Sequence, residues 1–209
     1  MSKIKAILWD MDGTLTPTNS IHDRSYQKVF QDLGINDFVY EKVKGWKTTR
    51  VFEARGFKEP QLSELVKKKQ DLAFKDAENF TIPIQIVEVL RNLSQKGFRH
   101  AIVTGASSRF TQSILKEPIA EGLIELLITS EEPVTSKPDP APFLRACEKL
   151  KIRPEEAVVV EDAEEVLLHL RPKNFAQLFL ITENYSESEK NADFISIKHP
   201  LEVLDWLSS

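Results

Sequence analysis

The sequence predicts an α/β protein built on a parallel sheet, with a run of helices inserted after the first strand. Three observations carry that reading. Short apolar runs ending in polar or acidic residues recur along the chain. From residue 82 onward, amphipathic stretches of helical period separate them. Residues 17–80, by contrast, hold no convincing strand. Strands alternating with helices pair in parallel, because each helix serves as the crossover. The expected organisation is 1–16 as first strand and loop, 17–81 as a helical insertion, and 82–209 as the rest of the α/β core.

Taken in order, the first strand is Ile4-Lys5-Ala6-Ile7-Leu8-Trp9, cut off by Asp10-Met11-Asp12-Gly13. Helices follow at 21–33, around 53–55 and at 61–74, punctuated by Gly34, Gly45, Gly56 and Pro60. In 83–96, Ile86, Val89, Leu90 and Leu93 form a helical stripe, and Gly97 stands where a C-cap belongs. Strands at 99–104, 157–161 and 177–182 are apolar and rich in β-branched or aromatic residues, as strands buried on both faces must be. A fifth lies at 123–129, and helices at 141–150 and 201–207 complete the pattern.

Composition bounds the partners. The 209 residues are 41% hydrophobic, enough for one core carrying a modest insertion. The 28 basic and 32 acidic residues leave a net charge of −4, so the chain has no general attraction to nucleic acid or anionic lipid. No apolar run approaches the length of a membrane span. Asp10 and Asp12 fall where a secretion leader needs its apolar stretch, and the expected setting is the cytoplasm, with the chain a monomer or weak dimer. Cys147 is the sole cysteine, which excludes an intrachain disulfide and a cysteine-based zinc cluster.

Four stations carry chemistry. Asp10 and Asp12, beside Gly13 at the end of a parallel strand, can converge on a hard cation such as Mg²⁺, although an isolated pair also reads as an Asx turn. Thr104-Gly105 ends the next long strand with a hydroxyl and open backbone. Lys137 lies within Ser136-Lys137-Pro138-Asp139-Pro140, a proline-restricted turn. Glu161-Asp162 gathers like charge at another strand end. Alone, each is an ordinary turn, cap or solvated lysine; together, in this order, they form a constellation.

These stations resemble the motifs of the haloacid dehalogenase-like superfamily, in the helical-cap subfamily of β-phosphoglucomutase and phosphoglycolate phosphatase. The resemblance covers nearly the whole chain. It includes Ser130-Glu131-Glu132, the late phrase Ala192-Asp193-Phe194-Ile195, and His22, which also reads as a core or hinge histidine. It implies a Rossmann-like parallel sheet with helices on both faces and a small α-helical cap. It further implies Asp10 as the nucleophile forming an aspartyl-phosphate and Asp12 as general acid and base. Mg²⁺ is implied on Asp10, the backbone carbonyl of Asp12 and Asp162, with Glu161 close by. Thr104, Gly105 and Ala106 would bind the phosphoryl group, and Lys137 would neutralise it together with Asp10.

The chain departs from the family pattern in two places. Glu161-Asp162-Ala163-Glu164-Glu165-Val166 lacks the usual serine and glycine, and Leu167-Leu168-His169-Leu170-Arg171-Pro172 lacks the usual Ala/Gly-rich helix. In the cap, Val43-Lys44-Gly45-Trp46-Lys47-Thr48-Thr49-Arg50 resembles a substrate-specificity loop, but the expected arginine is Thr48. Gly45, Trp46, Lys47, Arg50 and Lys69 are the cap candidates for substrate binding. The expected activity is a Mg²⁺-dependent phosphatase of a small phosphorylated metabolite, a sugar or polyol phosphate. A hexose-phosphate mutase is the alternative, since a mutase must grip a bisphosphate at both ends and two expected grips have changed. A phosphonate-cleaving relative would rest on Lys28 as its only candidate between 17 and 41. A non-catalytic phospholigand-binding protein is the alternative from a different class.

Overall fold

The computed structural model describes residues 3–182 and 194–208. One parallel sheet runs through it in the order β3-β2-β1-β4-β5-β6, comprising β1 (Ala6–Trp9), β2 (Arg99–Val103), β3 (Leu126–Ile128), β4 (Ala157–Glu161), β5 (Gln177–Ile181) and β6 (Ile195–Ile197). Central β1 places Leu8 opposite Ala101 on one side and Val159 on the other. The chain winds outward from β1 to β3, then returns to place β4 against the opposite edge of β1. Such a reversal opens a crevice at the carboxyl ends of the strands, where α/β sheets take ligands.

Period-two alternation divides the core between the two faces. Ile7, Trp9, Val158 and Val160 join one cluster with Ile86, Val89 and Leu90 of α4 (Ile84–Gln95) and Val203 of α9 (Leu201–Ser208). Ala6, Leu8 and Val159 join the other, with Phe143 of α7 (Ala141–Leu150) and Val166 and Leu167 of α8 (Glu164–Leu170). Truncating a wholly buried residue such as Leu8 to alanine would cost about 2–5 kcal/mol.

Between β1 and α4 lie α1 (Asn19–Asp32), α2 (Thr48–Ala54) and α3 (Gln61–Ala77), with a 3-10 turn at Tyr40–Val43. This helical insert has its own aromatic cluster of Tyr26, Phe30, Phe38, Tyr40 and Phe52, in which Phe30 and Phe38 stack at 4.5 Å between centroids.

Several elements differ from the sequence reading. Two short helices, α5 (Ser108–Ile114) and α6 (Lys116–Ala120), fall in a stretch to which it assigned no helix. Each is too short to display a full amphipathic repeat, and Pro118 sits inside the second. Strand β6, only three residues long, leaves too little pattern to stand out. Helix α8 forms without Ala/Gly-rich sequence, because Val166, Leu167 and Leu170 bury a stripe against the sheet. Of the phrase at 192–195, Ala192 and Asp193 lie outside the described residues.

Candidate active site

The strand ends assemble the site. Asp10 follows β1, Thr104 follows β2, and Glu161 closes β4 just ahead of Asp162. The Asp10 amide donates to the Val160 carbonyl at 2.9 Å, which carries the ladder one residue further and brings the carboxylates together. Lys137 enters from the loop before α7. Its Nζ lies 2.6 Å from Asp10 Oδ1 and 2.6 Å from Glu161 Oε2, and all three side chains are buried. Burial alone would depress the lysine, but Asp10 and Glu161 push it above its usual range. Burial, and then the charge on Glu161, drive Asp10 well above the ordinary carboxylate range. Burial likewise lifts Glu161 to about 7.

The same carboxylates could hold a cation. Asp10, Glu161 and Asp162 each offer a carboxylate oxygen within 4.8 Å of the others, and Asp10 Oδ2 is buried with no hydrogen-bond partner among the described residues. An orphaned hard oxygen among clustered carboxylates is a donor set that fits Mg²⁺. Gly13 makes the crowding possible. At φ +91° it takes a conformation that L side chains rarely adopt, and a Cβ there would fall 1.8 Å from Asp162 Oδ2.

Asp12 belongs to a different network. Its Oδ1 accepts from the Thr18 hydroxyl at 2.5 Å and lies 3.1 Å from His22 Nε2. Its Oδ2 accepts from Thr104 Oγ1 at 3.1 Å. His22 Nδ1 lies 2.6 Å from Lys69 Nζ, so a neutral ring that accepts from Lys69 donates through Nε2 to Asp12. Burial works to raise Asp12, but His22, Thr18 and Lys69 hold it below its usual range. Burial and then Lys69 lower His22, and burial lowers Lys69 to about 7. His22 is buried, as a core histidine would be, yet both its ring nitrogens are engaged at the site. Thr18, the residue immediately before α1, carried no sequence signal of this contact.

The segment 44–50, a loop that runs into the first turn of α2, lies over this arrangement. A Cβ on Gly105 would lie 2.4 Å from the Gly45 carbonyl oxygen and 2.8 Å from that of Trp46, so a glycine there permits the loop to dock. Two of the cations expected at the substrate have other partners in this arrangement. Lys47 Nζ donates to the Glu132 and Val134 carbonyls at 2.6 and 2.7 Å. The Arg50 guanidinium donates to the Lys137 carbonyl at 2.5 Å and stacks over Trp46 at 3.7 Å. In this arrangement backbone carbonyls of the core engage both cations, and neither side chain is among those that line the cavity. Gly45, Trp46, Lys69, Gly105 and Ala106 do line it, with Asp10, Asp12 and Thr104. The Ala106 amide donates to Thr104 Oγ1 at 3.0 Å, so in this arrangement both groups are already engaged.

The cavity measures about 30 Å³. A volume of that size holds one or two waters, whereas small-molecule pockets run to several hundred Å³. As the loop lies here, that space is smaller than an organic phosphate. Among the described residues no helix is long and apolar enough to cross a membrane.

The chain is similar over nearly its whole length to curated relatives and to solved structures. A Clostridium perfringens protein carrying a provisional PpaX pyrophosphatase name is 28% identical over 97% of this chain and 96% of its own length. The validoxylamine A 7'-phosphate phosphatase of Streptomyces hygroscopicus is 25% identical over 91% of this chain and 92% of its own. Among solved structures, β-phosphoglucomutase from Clostridium difficile superposes with a TM-score of 0.82 over 98% of this chain and 96% of its own, at 16% identity, which is a likeness of fold. The model of the haloacid dehalogenase-like hydrolases matches residues 4–171, a span that holds every carboxylate of the site, Thr104 and Lys137. With that match and the six-stranded parallel sheet beneath it, the chain belongs to the haloacid dehalogenase-like hydrolases.

Proposed function

We propose that this protein is a Mg²⁺-dependent phosphatase acting on a small sugar or polyol monophosphate, with 17–81 as a mobile cap. The observation that carries the reading is Lys137 held between Asp10 and Glu161, beside the orphaned Asp10 Oδ2. Lys137 orients the Asp10 carboxylate by fixing Oδ1 and offers positive charge to the oxygens of an incoming phosphoryl group. Asp10 attacks phosphorus, and the leaving oxygen departs with a proton from Asp12. Water then attacks the aspartyl-phosphate while Asp12 withdraws its proton. The ionised state in which His22, Thr18 and Lys69 hold Asp12 is the one that second step needs. Asp10, Asp162, Glu161 and the Asp12 carbonyl would hold Mg²⁺. Bound there, the metal reduces repulsion between anionic nucleophile and phosphate.

The cap side supports a hydroxylated, uncharged leaving group. Tyr26, Tyr40, Trp46, Thr48 and Gln70 line it, and Lys69, the cation among its lining residues, is already tied to His22. A pyrophosphate or bisphosphate would want more positive charge there. The mutase reading keeps one observation in its favour, the placement of Lys69 at the cavity wall. Phosphate release from a panel of sugar and polyol phosphates, with Mg²⁺ and with chelator, tests the proposal beside Asp10→Asn. Mg²⁺-dependent release that disappears in the variant is expected. Conversion of β-glucose 1-phosphate to glucose 6-phosphate with a bisphosphate primer, without release, would replace phosphatase by mutase.

A further inference from the structure

Lys44 has no role in the chemistry above, yet it reaches the metal-ligand set. It sits between the Tyr40–Val43 turn and α2, and its Nζ lies 2.6 Å from Asp162 Oδ2. The Asp162 side chain is 6% exposed and that of Lys44 19% exposed, so solvent screens the pair only partly. Asn19 Nδ2 donates to the same oxygen at 3.1 Å, and its own Oδ1 accepts from the Tyr40 hydroxyl at 3.1 Å. Both partners of Asp162 Oδ2 thus come from the helical insert, while Asp10 and Glu161 are held by Lys137 of the core.

A carboxylate that holds an ammonium at 2.6 Å offers a divalent cation a weaker welcome, because the two positive charges repel across one oxygen. The same lysine is also a clamp. It belongs to the loop that Lys47 and Arg50 pin to the core and that shuts the cavity at about 30 Å³. We propose that Lys44 acts as a tethered cation, neutralising Asp162 when no metal is bound, so that Mg²⁺ binding and docking of the loop 43–50 oppose each other. Metal entry releases Lys44, loosens the loop and opens the cavity to substrate. The inference rests on the reading of Asp10, Glu161 and Asp162 as metal ligands. It adds that the cap senses whether the metal is present.

Coupling of this kind is reciprocal: whatever the metal does to the loop, the loop does to metal affinity. The test is calorimetric titration of MgCl₂ into the full chain without substrate, for wild type, Lys44→Met and Lys44→Arg. Methionine keeps most of the stem and removes the charge; arginine keeps the charge. Lys44→Met should bind Mg²⁺ about tenfold more tightly than wild type, with Lys44→Arg remaining near wild type. Hydrogen exchange of amides 43–50 gives a readout that needs no variant. Mg²⁺ should speed it in wild type, whereas Lys44→Met should exchange fast with or without the metal. Equal or weaker Mg²⁺ affinity in Lys44→Met would overturn the proposal, as would slower exchange of wild-type 43–50 on adding metal. Absence of Mg²⁺ binding in all three proteins would instead remove the metal reading of the carboxylates, and the proposal with it.

Discussion

Asp10 and Asp12 stand two residues apart on one strand end and meet opposite electrostatic fates. Burial and Glu161 raise Asp10, while His22, Thr18 and Lys69 hold Asp12 low against the pull of burial. The difference lies in what surrounds each. Around Asp10 the partners are core residues, Lys137 from the loop before α7 and Glu161 and Asp162 from the end of β4. Around Asp12, Thr104 comes from the core, and Thr18, His22 and Lys69 come from the segment between β1 and α4. The surroundings of Asp10 are built when the sheet forms. Those of Asp12 are complete only when the helical insert is docked, which under the proposed mechanism would tie proton transfer to that docking.

The largest way to break this contrast is Asp10→Asn. It keeps shape and removes the attacking charge, so turnover should fall by about 10⁴-fold or more with the melting temperature held or raised. Residual phosphate release near the wild-type rate would count against attack by Asp10. Next comes Lys137→Ala, which strands Asp10 and Glu161 as buried, uncompensated acids. It should lose activity and also about 3–5 kcal/mol of stability at neutral pH, measured by denaturant unfolding. The loss should shrink as pH falls and Glu161, already raised to about 7, takes up a proton. An unfolding midpoint equal to wild type would show that solvent, rather than Lys137, balances the acids.

Asp12→Asn tests the other half. It should slow turnover by about 10²–10⁴-fold while leaving Mg²⁺ binding nearly unchanged, because its side chain lies outside the carboxylate cluster. Weakened Mg²⁺ binding would merge the two halves. The smallest effect belongs to His22→Gln, which removes the ring that helps hold Asp12 low. A carboxylate with a depressed folded pKa contributes stability above its unfolded pKa and loses it as pH falls through the folded value. Without His22 that contribution should be smaller and its loss complete at a higher pH, and the acid limb of the rate profile should move up with it. An unmoved limb would assign the depression of Asp12 to Thr18 and Lys69.

Much of the fold was legible along the chain. The runs at 157–161 and 141–150 coincide with β4 and α7, since a buried strand and an amphipathic helix declare themselves by local period. The stations Asp10, Asp12, Thr104, Lys137 and Glu161-Asp162 were legible for a related reason. Four of them sit at or beside the carboxyl ends of parallel strands, so knowing the strands locates the residues. The helices at 108–120 and the three-residue β6 were not, because their contacts, rather than their period, hold them.

Charged side chains divide along the same line. By itself the sequence determined the sheet, the strand ends and the residue types that meet there, because backbone pairing and apolar burial follow from short-range pattern. Only the tertiary structure decided that Lys47 and Arg50 spend their charge on core carbonyls, that His22 bridges Asp12 and Lys69, and that Lys44 reaches Asp162. A long cationic side chain can meet any acceptor within its reach. Which one it meets is settled when two separately packed surfaces, the helical insert and the sheet edge, come together and bring particular carbonyls and carboxylates within its reach.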